Sequence, residues 1–254
     1  MDIKNCAAII SGGASGMGAA TARLFSKAGA KVALLDMNEE ALNKMAKEIN
    51  GIAIPCNVTR SYDVEAAVQK AEAAHGVARI CINCAGIVLS KRMVGKQGPL
   101  PLEEFEKVIQ VNLVGTFNLM RIAAGAMIPS TPLGLSGERG VIINTASIAA
   151  FEGQIGQTAY SASKGGVVAM TLPAARELAR FGIRVMTIAP GLVDTPMFDK
   201  IPPEARNALA HSVPFPKRLA DPDEYAKLAL HIVENEMLNG SVIRLDGALR
   251  MQSE

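Results

Sequence analysis

The sequence predicts an α/β fold: one doubly wound parallel sheet with helices on both faces. Three observations point to it. Short apolar runs alternate with helix-like stretches along all 254 residues. The runs consist of Val, Ile, Leu and Ala without polar alternation, as strands covered on both faces require. No repeat, low-complexity stretch or linker divides the chain, so residues 1–254 are expected to form one domain.

Strands are expected at Ala7–Ile10, Lys31–Asp36, Ile52–Asn57, Ile80–Cys84, Val141–Ala146, Arg184–Ala189 and Val242–Leu245. Helices are expected over Gly18–Ala28, Glu39–Ile49, Ser61–His75, Glu103–Met127 and Ala159–Phe181. Three stretches interrupt this alternation: Ser90–Pro101, Pro129–Gly140 and Leu192–Arg218. The third follows a strand and contains five prolines. In an open α/β sheet the ligand crevice lies outside the carboxyl ends of the strands. A long segment there, about 192–218, reads as a substrate lid.

Bulk properties exclude several classes of function. The net charge is +2, which implies no strong attraction to nucleic acid or to an anionic membrane. No apolar run approaches the ~18 residues of a membrane span, and Cys6–Ile10 is too short for a signal-peptide core. A cytoplasmic location is expected, or an organelle matrix if a targeting segment has been removed. Cys81 and Cys84 form a C-x-x-C inside an apolar, strand-like run. With no second ligand pair and scattered histidines, they read as buried thiols, and no metal is expected.

The first strand runs into Ser11-Gly12-Gly13-Ala14-Ser15-Gly16-Met17-Gly18, and a helical pattern starts at once behind it. Glycines at 12, 16 and 18 let backbone approach a pyrophosphate, while the helix N-terminus offers N–H groups to it. Strand, glycines and helix in this order make a Rossmann-type dinucleotide site. Asp36 ends the second strand, eighteen residues after Gly18. A carboxylate there accepts bonds from the ribose hydroxyls of NAD and repels the 2′-phosphate of NADP. Ser15 and Met37 provide no cation for such a phosphate, so NAD is the expected cofactor.

Tyr160 and Lys164 are four apart on a helix and share a face. A phenol is a poor base at neutral pH unless a nearby ammonium favours its phenolate. Ser147, at the end of the fifth strand, could hold a substrate oxygen, and Asn112 is a plausible fourth member. The order glycine loop, acidic strand end, Asn, Ser and Y-x-x-x-K resembles the short-chain dehydrogenase/reductase family over essentially the whole chain. Asn83-Cys84-Ala85-Gly86 and Pro190-Gly191 match the family as well. Within the family the chain most resembles the type 2 3-hydroxyacyl-CoA dehydrogenases, also called type 10 17β-hydroxysteroid dehydrogenases. The matching stretches are Thr145–Gln154, Thr187–Leu192, Val213–Pro216 and Ile243–Gly247.

The resemblance implies roles. Tyr160 is the acid/base; Lys164 lowers its pKa and holds the nicotinamide ribose. Ser147 binds the reacting oxygen, and Asn112 positions a water. Gly12, Gly16 and Gly18 form the cradle, Ser15 and Met17 line the pyrophosphate, and Asp36 reads the ribose. Val58 and Cys84-Ala85-Gly86 touch the adenosine, Pro190 adds to the cofactor contacts, and Val193 and Thr195 meet the carboxamide and phosphate side. Asn57 stands where an aspartate commonly contacts adenine, and its side-chain oxygen can still accept that bond. The resemblance also implies a homotetramer packed through the helices around Glu103–Met127 and Ala159–Phe181. The expected substrate is a short or branched 3-hydroxyacyl-CoA. A steroid or other hydrophobic alcohol is the alternative, and a catalytically silent binding or assembly subunit is an alternative of another class. Gln154 and Gln157 could bond a thioester carbonyl or a steroid oxygen. Lys91, Arg92 and Lys96 could attract the phosphates of coenzyme A, or could simply be solvated loop charges.

Overall fold

A computed structural model describes residues 1–196 and 201–253. Strands β1 (Ala7–Ser11), β2 (Lys31–Asp36), β3 (Ile52–Pro55) and β4 (Ala78–Asn83) make one half of the main sheet. After a two-residue hairpin pair, β5 (Val94–Gly95) and β6 (Gly98–Pro99), the sheet continues with β7 (Gly140–Thr145), β8 (Ile183–Pro190) and β9 (Val242–Leu245). The order is β3-β2-β1-β4-β7-β8-β9 and every pairing is parallel. All residues of β1, β7 and β8 are buried, which is why these segments lack polar alternation.

Helices α1 (Gly16–Lys27), α2 (Glu39–Glu48) and α8 (Pro222–Glu234) share one apolar layer with the sheet; Phe25, Leu42 and Tyr225 are fully buried there. Helices α3 (Ser61–His75), α5 (Gly115–Met127) and α6 (Thr158–Ala179) cover the other face through Val64, Leu119 and Ala175. Between β1 and β4 the chain order reverses, and beyond their first residues the paths after the two strands part, to α1 on one face and to α5 on the other. That divergence opens the crevice in which doubly wound sheets bind ligands.

Four local departures from the expected elements occur. The third strand stops at Pro55, because the Asn57 side-chain oxygen accepts the Thr59 N–H and turns the chain. The expected single helix Glu103–Met127 is α4 (Leu102–Ile109), a π-turn over Gln110–Val114, and α5. Such π-turns insert one residue into a helix and often mark functional positions; here the turn carries buried Asn112. The Ser90–Pro101 loop contains the small β5–β6 hairpin. The segment 192–218 holds α7 (Pro203–Ser212), while its residues 197–200 lie outside the described ones.

At the strand end away from the crevice, Arg184 and Glu138 form a buried ion pair at 2.8 Å. The Arg184 guanidinium also donates to the carbonyls of Ile232, Val233 and Leu238, tying β8 to the end of α8. The Met1 amine meets the second Glu138 oxygen at 3.1 Å.

Candidate active site

Beyond β1 the chain turns through Gly12, with φ +66°. A Cβ on Gly12 would lie 2.7 Å from the Ala85 nitrogen, and one on Gly18 would lie 2.2 Å from the Gly12 carbonyl oxygen. The glycines therefore allow three backbones to meet: the loop, the first turn of α1, and the segment after β4. The Ser15 hydroxyl does not cap α1 and no acid occupies its first turn. This helix N-terminus is thus suited to an anion.

A groove of about 310 Å³ runs from this cradle to Asp36. Gly12, Ser15, Gly16, Met17, Gly18, Asp36, Asn57, Val58, Cys84, Ala85, Gly86 and Thr195 all line it. Asp36 is held by two backbone donors, Ala14 N–H at 3.2 Å and Asn38 N–H at 3.0 Å. Its remaining lone pairs are left for a ligand. Met37 beside it is 70% exposed. The Asn57 oxygen already accepts from the Thr59 N–H and hydroxyl at 3.1 and 2.8 Å, so an adenine amine would compete with two existing donors.

A second cavity, of about 300 Å³, shares Met17, Cys84, Gly86 and Thr195 with the groove. Ser147, Tyr160, Lys164, Gln154, Gln157, Pro190 and Val193 line it, among mostly apolar neighbours. Ser147 follows β7 and opens a 3-10 turn, where its Oγ accepts the Ala149 N–H at 3.1 Å. Tyr160 lies in the first turn of α6, and Lys164 follows one turn later. The Lys164 Nζ donates to the Thr145 carbonyl at 2.7 Å and stands 5.8 Å from the centre of the Tyr160 ring.

Burial shifts both members of this pair. It pulls Lys164 down to about 8, because the ammonium loses its hydration. It also pushes the Tyr160 phenol up, against a smaller downward pull from its hydrogen bond with Ser147. The sequence reading has the ammonium lowering the phenol; in this structure burial of the phenol is the larger influence, and the one opposing pull comes from Ser147.

Asn112 lines neither cavity. Its Oδ1 accepts the Ile87 N–H at 2.8 Å, and its Nδ2 donates to the Ile87 carbonyl at 2.9 Å and the Ser163 hydroxyl at 3.1 Å. It joins the segment after β4 to α6, directly behind Gly86. A Cβ on Gly86 would sit 3.3 Å from Asn112 Oδ1 and 3.6 Å from Lys164 Nζ. The two glutamines are mutually bonded: Gln157 Oε1 accepts the Gln154 N–H at 3.1 Å. The Gln154 Nε2 donates to the Gln252 carbonyl at 3.2 Å. Of the three loop cations, Lys91 is paired with Glu104 at 2.6 Å, and among the described residues Arg92 and Lys96 form no ion pair.

Two features are absent from the sequence reading. Met251, in a tail without a motif, lines the second cavity together with Ile201 and Leu209. Thr145, within a quoted stretch but given no role there, supplies the carbonyl for Lys164 and bonds Tyr225 through its hydroxyl at 2.7 Å.

A family model described as short chain dehydrogenase matches residues 6–206. The human protein named 3-hydroxyacyl-CoA dehydrogenase type-2 is 53% identical to this chain, over 98% of this chain and 97% of its own length. The Drosophila melanogaster protein of the same name is 50% identical, over 98% and 99%. The crystal structure of 3-hydroxyacyl-CoA dehydrogenase type-2 from Mycobacterium avium superposes with a TM-score of 0.93, at 40% identity and over the full length of both chains. A glycine cradle where two strand loops meet, a serine, tyrosine and lysine around the adjoining cavity, and these matches agree: the chain belongs to the short-chain dehydrogenase family and is an oxidoreductase acting on a small molecule with a nicotinamide cofactor.

Proposed function

We propose that the enzyme moves a hydride between NAD and the C3 carbon of a short or branched 3-hydroxyacyl-CoA. The observation that carries this reading is the placement of Ser147, Tyr160 and Lys164 in an apolar cavity continuous with a nucleotide groove that ends at Asp36. The groove fits a dinucleotide, since it runs from the glycine loop and the uncapped, acid-free N-terminus of α1 to the Asp36 carboxylate. Asp36 favours NAD, because a 2′-phosphate would meet its carboxylate. The names of the relatives support the acyl-CoA class.

In the oxidation direction, Ser147 donates a hydrogen bond to the substrate oxygen and Tyr160 takes the proton of its hydroxyl. When bound, the oxidised nicotinamide would accept the hydride and add a positive charge that favours the phenolate. Lys164 holds the nicotinamide ribose and, through Thr145, is itself fixed to the end of β7. Asn112 keeps the segment around Ile87 in place and positions a water leading from Lys164 to solvent. Burial of the site removes competing water from the phenol and the reacting carbon. The working assembly is a homotetramer, a reading supported by Phe117 on α5 and Leu172 on α6, both exposed apolar side chains on the helices expected to meet a second copy.

The substrate class is tested by comparing kcat/KM for acetoacetyl-CoA with that for a truncated thioester lacking the nucleotide. Wild type is compared with the Lys91→Ala, Arg92→Ala, Lys96→Ala triple variant. The proposal expects only the full thioester to lose efficiency in the variant, with a flatter salt dependence. Since Lys91 is paired with Glu104, the double variant at Arg92 and Lys96 should reproduce most of the loss. Equal losses on both substrates reject the loop as the coenzyme A contact. Absence of activity on every acyl-CoA, with activity on hydrophobic alcohols, rejects the substrate class.

A further inference from the structure

We infer that the tail Leu249–Ser253 is a wall of the substrate cavity, and that Met251 sets how long an apolar chain on the reacting carbon the enzyme accepts. The inference rests on reading the second cavity as the substrate site. Met251 lines that cavity in company with Ser147, Tyr160 and Leu209 of α7. The tail is docked there by specific bonds. The Ile155 N–H donates to the Ser253 carbonyl at 2.9 Å, and the Gln154 Nε2 to the Gln252 carbonyl at 3.2 Å. Two consecutive tail residues thus meet two consecutive residues of the stretch between Ser147 and Tyr160.

Two further contacts hold the tail at its start. Leu249 is 5% exposed and packs with Ile148, the residue after Ser147, and with Val213 at the end of α7; Met251 packs against the same cluster. One apolar cluster therefore joins tail, catalytic turn and the end of the lid helix. The Arg244 guanidinium ties the same parts together by polar bonds. It pairs with both Glu152 oxygens at 2.7 and 2.8 Å, and donates to the Leu249 carbonyl at 3.0 Å. Glu152 lies in the stretch that receives the tail, so a single side chain fixes both partners.

Methionine suits such a wall. Its unbranched thioether adapts to apolar surfaces without presenting a strong donor or acceptor. Ser147 and Tyr160 fix the reacting oxygen, so a side chain elsewhere in the same cavity meets the rest of the substrate. Removing bulk there should admit a longer chain, and adding bulk should exclude it. One methylene more or less in an apolar pocket commonly shifts specificity about tenfold or more.

The test uses Met251→Ala and Met251→Phe with NADH as reductant. kcat/KM is measured on acetoacetyl-CoA and a series of longer 3-oxoacyl-CoA thioesters, and in parallel on a series of methyl ketones. Thermal midpoints and the NADH Kd serve as controls for folding. The expected result is that Met251→Ala raises the long-to-short efficiency ratio about tenfold. Met251→Phe lowers it, and both keep the NADH Kd within about twofold of wild type. Equal scaling of every chain length in both variants overturns the inference, as does a length shift of the same sign in both. An ordered length shift on methyl ketones without turnover of any thioester leaves the inference standing and rejects the acyl-CoA reading. Thioester turnover without a length shift does the reverse.

Discussion

Replacing Asp36 with alanine should largely abolish discrimination between the two nicotinamide cofactors. Each Asp36 oxygen accepts one backbone N–H, at 3.2 and 3.0 Å. A carboxylate has about four acceptor sites, so room remains for the ribose hydroxyls. Hydrogen bonds to a charged group contribute about 1.5–3 kcal/mol each. Water replaces part of what is lost when the carboxylate is removed, so NAD should weaken by a net of about 2 kcal/mol, roughly thirtyfold in Kd. NADP should gain at the same time. A phosphate charge about 4 Å from a carboxylate at an effective dielectric constant of about 20 is repelled by about 4 kcal/mol, and solvent at the groove's edge screens about half of that. The two effects together amount to about 4 kcal/mol, a change of about a thousandfold in the NAD-to-NADP ratio of kcat/KM. Adding Met37→Arg at its exposed position should supply a partner for the 2′-phosphate and invert the preference. The assay is kcat/KM for each cofactor at saturating substrate, in wild type, Asp36→Ala and the double variant. A wild type that uses both cofactors within tenfold, or a ratio unmoved by Asp36→Ala, refutes the reasoning.

Lys164→Met should lower both kcat and NAD affinity, and a normal NAD Kd in that variant would show that the ribose contact is wrong. The same substitution tests the burial of the ammonium. Lys164 is depressed to about 8, below the unfolded value of about 10.4. Between these values the unfolded chain binds more protons, so wild-type stability relative to Lys164→Met should rise from pH 8 to about pH 10.4 and be lowest below that window. Urea midpoints at several pH values read this directly, and a flat difference contradicts it. Glu138→Gln leaves Arg184 buried with a weakened partner and should cost about 3 kcal/mol in urea unfolding. An unchanged midpoint would show that the carbonyls of Ile232, Val233 and Leu238 suffice. Gly18→Ala should abolish cofactor binding, since its Cβ would lie 2.2 Å from backbone oxygen, and a normal NADH Kd would refute the cradle geometry.

Much of the architecture was legible because its signals are local. Each sheet strand announces itself as a continuous apolar run, and the glycine loop follows β1 without an intervening residue type that would suit any other turn. Tyr160 and Lys164 are visible because helix periodicity alone puts them on one face. Other features depend on long-range packing and have no local signature. The π-turn at Gln110–Val114 reads as ordinary helix, since its residues fit a helical pattern and only the packing of Asn112 against Ile87 and Ser163 distinguishes it. The sign of the Tyr160 shift depends on how deeply the phenol is buried, which spacing does not encode. Lys91 looks like a free cation until the fold brings Glu104 to it. Met251 and Gln252 belong to a tail with no periodic pattern, and only the fold shows that the tail returns across Gln154 and Ile155.

The account's central claim is that the Tyr160 hydroxyl exchanges the proton of the reacting oxygen. Tyr160→Phe removes that hydroxyl and little else from a half-buried ring. The direct measurement is single-turnover hydride transfer from NADH to acetoacetyl-CoA, or to whichever ketone wild type reduces best, paired with the NADH Kd from fluorescence titration. The account predicts a rate lowered about a thousandfold or more, with the NADH Kd unchanged within about twofold. Retention of a tenth of the wild-type rate, a loss of only ~1.4 kcal/mol, would contradict it.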